Sequence, residues 1–171
     1  IFTYLDDGAG EGNSYTEAKA VSRLGQQDIL ASGFAENAGK CQWESVQCGE
    51  LFGFIMDLAS GLFIVPEQRV EVLQRLLQHV LDNGFFVSAR HVARIAGCLI
   101  SMGLALGPVV RLWTRKCYRV VQSSESWDKA ISLPEEACRE IQFWKENFEN
   151  DGQPIWQASP KVEVMTFSKV A

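Results

Sequence analysis

The chain has 171 residues, the length of one ordinary domain or two small ones. Its 47% hydrophobic and 22% charged residues fit a folded globule and exclude global disorder, while Gly103, Gly107 and Pro108 interrupt residues 98–110, the closest approach to the ~20 apolar residues of a membrane helix. A net charge of −5 gives no bulk attraction for nucleic acid, so such a role requires local basic patches or metal ions.

Ile1–Leu5 is apolar and β-branched or aromatic, and Asp6-Asp7-Gly8 follows. This predicts a strand and a hairpin turn, with Gly8, Gly10 and Gly12 spacing out a flexible exit. Asn13 or Ser14 caps a helix predicted to reach about Ser32, with Gly33 as its stop. Its stripe of Ala18, Val21, Gly25 and Ile29 is weak. Residues 34–49 read as irregular. Glu50–Leu58 and Leu62–Val65 read as two strands joined at Ala59-Ser60-Gly61.

Pro66 opens a helix at its first position, where a missing N–H costs nothing. Val70, Leu73, Leu77, Val80 and Leu81 give it an amphipathic stripe, and Asn83-Gly84 ends it. Ser88 caps the next helix, with Val92, Ile95, Ala96, Leu99 and Ile100 on its apolar face. Gly103–Pro108 ends that helix, and a further helix is predicted over about 108–122. Ser123–Ser126 is a polar linker and a candidate boundary. Ser132-Leu133-Pro134-Glu135 fits a capping box opening a helix to about Phe148. Asn150–Pro154 reads as a loop, and alternating Val162, Val164 and Phe167 predict a final strand. No internal repeat is present.

The five cysteines, Cys41, Cys48, Cys98, Cys117 and Cys138, show no CxxC pair and no zinc spacing. They read as thiols of a reducing compartment. No charged segment followed by an apolar one follows Ile1, so no signal peptide is expected. Ile1 in place of Met reads as the interior of a longer chain. His79 and His91 read as structural, and Trp127 and Trp144 as core or docking aromatics.

The chemistry concentrates at Tyr4-Leu5-Asp6-Asp7. Adjacent carboxylates at a tight turn repel each other, and a hard divalent cation such as Mg²⁺ offsets that repulsion with oxygen ligands it prefers. Alone, the tetrapeptide reads rather as a solvated Asp-Asp-Gly turn. Its neighbours add weight. Tyr-Leu-Asp-Asp, a helix, Gly33-Phe34, Asn37, Lys40-Cys41, Leu51-Phe52-Gly53-Phe54 and Val65-Pro66 follow in an order that resembles the second half of a reverse-transcriptase palm. Arg90-His91-Val92-Ala93-Arg94-Ile95-Ala96-Gly97 is similar to the thumb helix of retroelement polymerases. Trp127-Asp128 and Glu140-Ile141-Gln142-Phe143-Trp144 are similar to the segment leading to a ribonuclease H domain. The set looks most like DIRS-type retrotransposons, which carry a tyrosine recombinase, and it covers nearly the whole chain.

The resemblance implies an α+β fold. Residues 1–66 would be the C-terminal part of the palm, with antiparallel hairpins plus a helix. Residues 67–122 would be a helical thumb. Residues 123–171 would be a connection, as a helix–loop–strand tail ending on the first strand of a ribonuclease H-like domain. The implied function is RNA-directed DNA polymerisation with two Mg²⁺ ions, on a template–primer with deoxynucleoside triphosphates. The fingers, ribonuclease H and recombinase of one polyprotein would be its partners, in the cytoplasm or nucleus and not at a membrane. Asp6 would be the main metal ligand and Asp7 the second, with Tyr4 under the primer terminus. Lys40 would protonate departing pyrophosphate, and Phe52 and Gly53 would grip the primer. Arg90, Arg94, Arg111, Arg115, Lys116 and Arg119 would meet backbone phosphates. A third metal aspartate and the triphosphate grip would precede Ile1, so this stretch by itself is expected to be inactive and its palm sheet to lack central partner strands. The alternative is a non-catalytic nucleic-acid- or protein-binding relic. A compact acid–base enzyme using Asp6 and Asp7 is disfavoured, because neighbours at a turn point apart.

Overall fold

The computed structural model of the chain describes residues 2–4, 7–148, 152–154 and 164–169. The fold is mixed α+β with small antiparallel sheets, in two compact units, Ile1–Ile64 with Pro154–Ala171 and Val65–Gln153. The stretch 123–126 therefore lies inside the second unit.

In the first unit, β1 (Phe2–Tyr4) and β2 (Asp7–Gly12) pair antiparallel, Tyr4 opposite Asp7. Leu5 and Asp6, which lie between them, are outside the described residues. Gly8, Gly10 and Gly12 thus belong to a strand and are no flexible exit. Packing explains the smallness of Gly12. The helix α1 (Tyr15–Ala31) begins directly after β2, and a Cβ on Gly12 would lie 2.4 Å from the Ala18 backbone nitrogen. Ser14 caps α1, its hydroxyl accepting from the Glu17 N–H at 3.2 Å. Only Ala18 and Ser22 of α1 are buried, in keeping with its weak stripe.

Residues 42–49, expected to be irregular, instead hold β3 (Gln42–Val46) and the start of β4 (Cys48–Leu51). Trp43 and Ser45 alternate with the exposed Gln42 and Glu44, a period-two pattern that a serine at an inward position disguises. The expected strand 50–58 is broken. β4 turns at Phe52-Gly53 into β5 (Phe54–Asp57), with Leu51 opposite Phe54. Both turn residues have positive φ, 54° and 72°, the sign pattern of a type I′ hairpin. The turn at 58–61 leads to β6 (Leu62–Ile64) as expected.

The second unit opens with α2 (Glu67–Asp82), Pro66 being its N-cap. Leu73, Leu76, Leu77 and Val80 are buried. A short β7 (Phe86–Ser88) precedes α3 (Ala89–Ser101), capped by Ser88 as expected. Ile100 is exposed, contrary to its expected place on the apolar face. The single helix predicted over 108–122 is in fact broken. A short α4 (Gly103–Leu106) occupies the stretch expected to end α3, and α5 (Val109–Leu112) and α6 (Arg115–Ser123) replace the predicted helix. The break falls at Thr114, whose buried hydroxyl donates back to the Val110 carbonyl at 2.7 Å, a side-chain bond that competes with the helical ladder.

β8 (Ala130–Ser132) pairs with β7, so Ser132 is a strand residue. The capping box is not made. Pro134 precedes α7 (Glu135–Glu146) with no side-chain cap, and Glu135 accepts from Arg139 instead. The core of this unit gathers Leu73, Leu77, Val92, Ile95, Leu99, Val110 and Ile141. Trp144 is buried, its indole N–H donating to the Trp113 carbonyl at 2.7 Å, and Trp113 stacks on Phe143 at 3.9 Å. Trp127 is exposed.

The short β9 (Gln153–Pro154) is followed by β10 (Val164–Lys169); Asn150, Asp151 and Val162 lie outside the described residues. β10 enters the first unit's sheet between β2 and β3, antiparallel to both, giving the order β1-β2-β10-β3. A strand from beyond the second unit thus supplies a central partner for the hairpin.

Candidate functional site

Backbone register brings several of the singled-out residues to one end of this sheet. Tyr4 and Asp7 close the hairpin, and Asp7 lies opposite Lys169 of β10. On the other side of β10, Phe167 pairs with Gln42. Lys40 lies in the turn that leads into β3, two residues before Gln42. Asn37 holds the approach to Lys40. Its carbonyl accepts the Lys40 N–H at 2.8 Å, and its side chain accepts the Gly39 N–H at 3.2 Å. The Lys40 side chain is exposed. Asp6 lies outside the described residues, and among the described residues no group of three or more His, Cys, Asp or Glu could hold a metal ion.

Phe52 and Gly53 form the β4–β5 turn in the same unit. Phe52 packs against the cluster of Ala9, Leu51 and Met56, and a positive φ in an aromatic residue is uncommon and costs energy.

The six cations of the second unit do not behave alike. The Arg90 backbone N–H donates to the Trp127 carbonyl at 3.0 Å, and the Arg90 guanidinium meets both Asp128 oxygens, at 2.6 and 3.2 Å. That bond holds the Asp128 carboxyl below the usual carboxylate range. Lys116, half-buried, pairs with Glu136 at 2.8 Å. Its hydrogen bond lowers the Glu136 carboxyl likewise. Arg94, Arg111, Arg115 and Arg119 are exposed and make no ion pair among the described residues.

Two signals here are easy to miss in sequence. First, no Asp or Glu occurs between Asp82 and Glu125, while all six of these cations do; the whole-chain charge hides this segregation. Second, Gly97 sits exposed in mid-α3, and a Cβ there would touch nothing within 4 Å. A helix-interior glycine costs about 1 kcal/mol relative to alanine, and internal packing gives no reason for it. Arg90, Arg94, Gly97 and Ser101 recur at helical spacing on one exposed face of α3.

Glu140, read only as part of a motif, is a buried carboxylate, 5% exposed. The Lys116 N–H donates to both of its oxygens at 2.9 Å, and the Cys117 N–H to one at 2.9 Å. It therefore caps α6 from another helix. Burial, followed by the nearby Glu140 charge, pushes the Cys117 thiol up, which keeps it protonated and unreactive. His91 and His79 lie ring to ring at 4.6 Å, and His91 Nε2 is 3.0 Å from the Leu76 carbonyl. Burial pulls the His91 pKa down, with His79 and Arg94 adding to it.

No protein family, curated protein or solved structure matches the chain. Among the described residues no helix is long and apolar enough to cross a membrane.

Proposed function

We propose that the chain is the palm, thumb and connection portion of an RNA-directed DNA polymerase of a DIRS-like retroelement, acting on a template–primer. The observation that carries the reading is the register that pairs Tyr4 with Asp7 at the end of β1 and β2, and Asp7 with Lys169 of β10, with Lys40 in the turn that leads into β3 of the same sheet. Asp6 and Asp7 would hold Mg²⁺, which supplies Lewis-acid activation of a primer 3′-oxygen and of the leaving pyrophosphate. Lys40 would hold a proton for the leaving group, and Phe52-Gly53 would bring backbone close to the primer.

The acid-free stretch and the bare face of α3 support the thumb part of this reading. Arg94, Arg111, Arg115 and Arg119 offer charge to phosphates, and Gly97 lets a polymer backbone approach where any side chain would stand in the way. Arg90 and Lys116 are engaged with carboxylates, so their share is smaller.

The test is a titration of the chain with an RNA–DNA template–primer across a salt series. Affinity should fall with salt at a slope of about −0.9 per phosphate neutralised, and Arg94→Ala should flatten it. No binding at low salt would leave the relic reading, as a protein-binding module, in its place. The chain by itself should show no Mg²⁺-dependent primer extension; extension would refute the expectation that the remaining metal ligand lies elsewhere.

A further inference from the structure

Helix α6 carries an exposed ring, Tyr118, that the duplex reading does not use, beside two arginines that it does. Cys117 and Val120 face the core, and Arg115, Tyr118, Arg119 and Gln122 recur at i, i+3, i+4 and i+7 on the opposite, exposed side. Lys116 is drawn off this face to Glu136, and the helix N-terminus is taken by Glu140. What remains for a ligand is an aromatic ring between two arginines. Tyr118 is 39% exposed, and its hydroxyl has no partner among the described residues. Arg119 lies near Glu136 and lowers its pKa, but neither arginine is ion-paired.

We propose that this stripe is a stacking platform for a single-stranded nucleic-acid segment, with Tyr118 packing on a base and Arg115 and Arg119 taking the flanking phosphates. The chemistry selects the ligand. A duplex shows phosphates to a convex helix but keeps its base faces covered, so an exposed ring between arginines gains from bases only when they are unpaired. The absence of acids from Asp82 to Glu125 removes the local repulsion that the chain's overall charge would otherwise bring. The proposal rests on the polymerase reading for its ligand class and extends it from the duplex to an unpaired overhang. Gln122 lies one turn past Tyr118 and suits a polar contact with a neighbouring base edge or sugar.

The experiment uses the full chain and two labelled probes, a single-stranded RNA of about ten nucleotides, within the usual span of such sites, and a blunt RNA–DNA duplex. Tyr118→Ala should weaken single-strand binding by about fivefold or more, the lower end of aromatic–base stacking, and leave duplex binding within about twofold. Tyr118→Phe should bind like the parent, since the ring face carries the contact. Arg115→Ala with Arg119→Ala should flatten the single-strand salt slope by about 1.4, at ~0.7 per phosphate. Far-UV circular dichroism confirms that each variant is folded, as expected for exposed positions. Unchanged single-strand affinity in Tyr118→Ala, equal losses on both probes, or equal losses in the Phe and Ala variants would overturn the platform. Displacement of the RNA by an acidic peptide at matching concentration would also overturn it, as that marks a protein-binding face. Duplex binding lost by the parent while single-strand binding persists would sink the polymerase reading alone.

Discussion

Replacing Glu140 by alanine removes the cap of a helix from a distance. The Lys116 and Cys117 N–H groups, which now donate to the carboxylate at 2.9 Å, would have no acceptor, because they lie in the first turn of α6, where N–H groups have no intrahelical partner. Each orphaned buried donor costs about 1–3 kcal/mol. The carboxylate also loses its favourable place at a helix N-terminus, worth up to about 2 kcal/mol when partly buried. Against this, the variant no longer desolvates a charge, which returns part of the sum. The net expectation is a loss of about 3 kcal/mol, a large fraction of the 5–15 kcal/mol typical of a domain. At a urea dependence of about 1–3 kcal/mol per molar, the midpoint should fall by about 1–3 M. Glu140→Gln keeps one acceptor oxygen and should lose less. Exposed Glu136 is paired with Lys116, so Glu136→Ala should cost far less than Glu140→Ala. Hydrogen exchange gives the local readout, since the Lys116 and Cys117 amides should lose protection in Glu140→Ala before the rest of the unit. A loss below about 1 kcal/mol, or Glu136→Ala costing as much as Glu140→Ala, would refute the capping argument.

Gly97→Ala should raise thermal stability by up to about 1 kcal/mol, since the added Cβ meets nothing and the helix gains propensity, while template–primer affinity drops several-fold; a stability gain with affinity unchanged would remove the close-approach argument. Gly12→Ala should cost about 1–3 kcal/mol in a urea titration, because its Cβ would sit 2.4 Å from rigid backbone at Ala18. His91 gives a pH dependence of known sign. Its folded pKa lies below the unfolded value of about 6.5, so the unfolded chain binds more protons and stability must fall as pH drops through that value. Replacing His91 by Gln should flatten stability between neutral pH and pH ~5. Asp57 acts in the same direction at lower pH. Hydrogen bonds from Ser60 hold its carboxyl below the ordinary range, so Ser60→Ala should move the Asp57 titration up when followed by NMR.

Local rules carried the helices whose signals were local. Ser14 and Ser88 cap α1 and α3, and the 3.6-residue stripe of α2 is buried where its period places it. The first strand was legible for the same reason, since strand propensity acts over a few residues, but Asp7-Gly8, read as the turn after it, belongs to β2. The α5–α6 break was not, because its causes are Thr114 bonding back to Val110 and Glu140 arriving from α7, one a local competition and the other a contact across 24 positions of chain. β3 escaped notice because an inward serine disguises its alternation.

By itself, then, the sequence determined where α1, α2 and α3 begin, the turn between Leu58 and Leu62, and the segregation of acids from cations along the chain, because these depend on neighbours within a few residues. Only the tertiary structure decided which cations remain free for a ligand, since pairing of Arg90 with Asp128 and of Lys116 with Glu136 brings together residues far apart in the chain. The same holds for the central place of β10 beside the hairpin. A strand finds its partner through hydrogen bonds between distant backbones, and no short pattern of side chains records that choice.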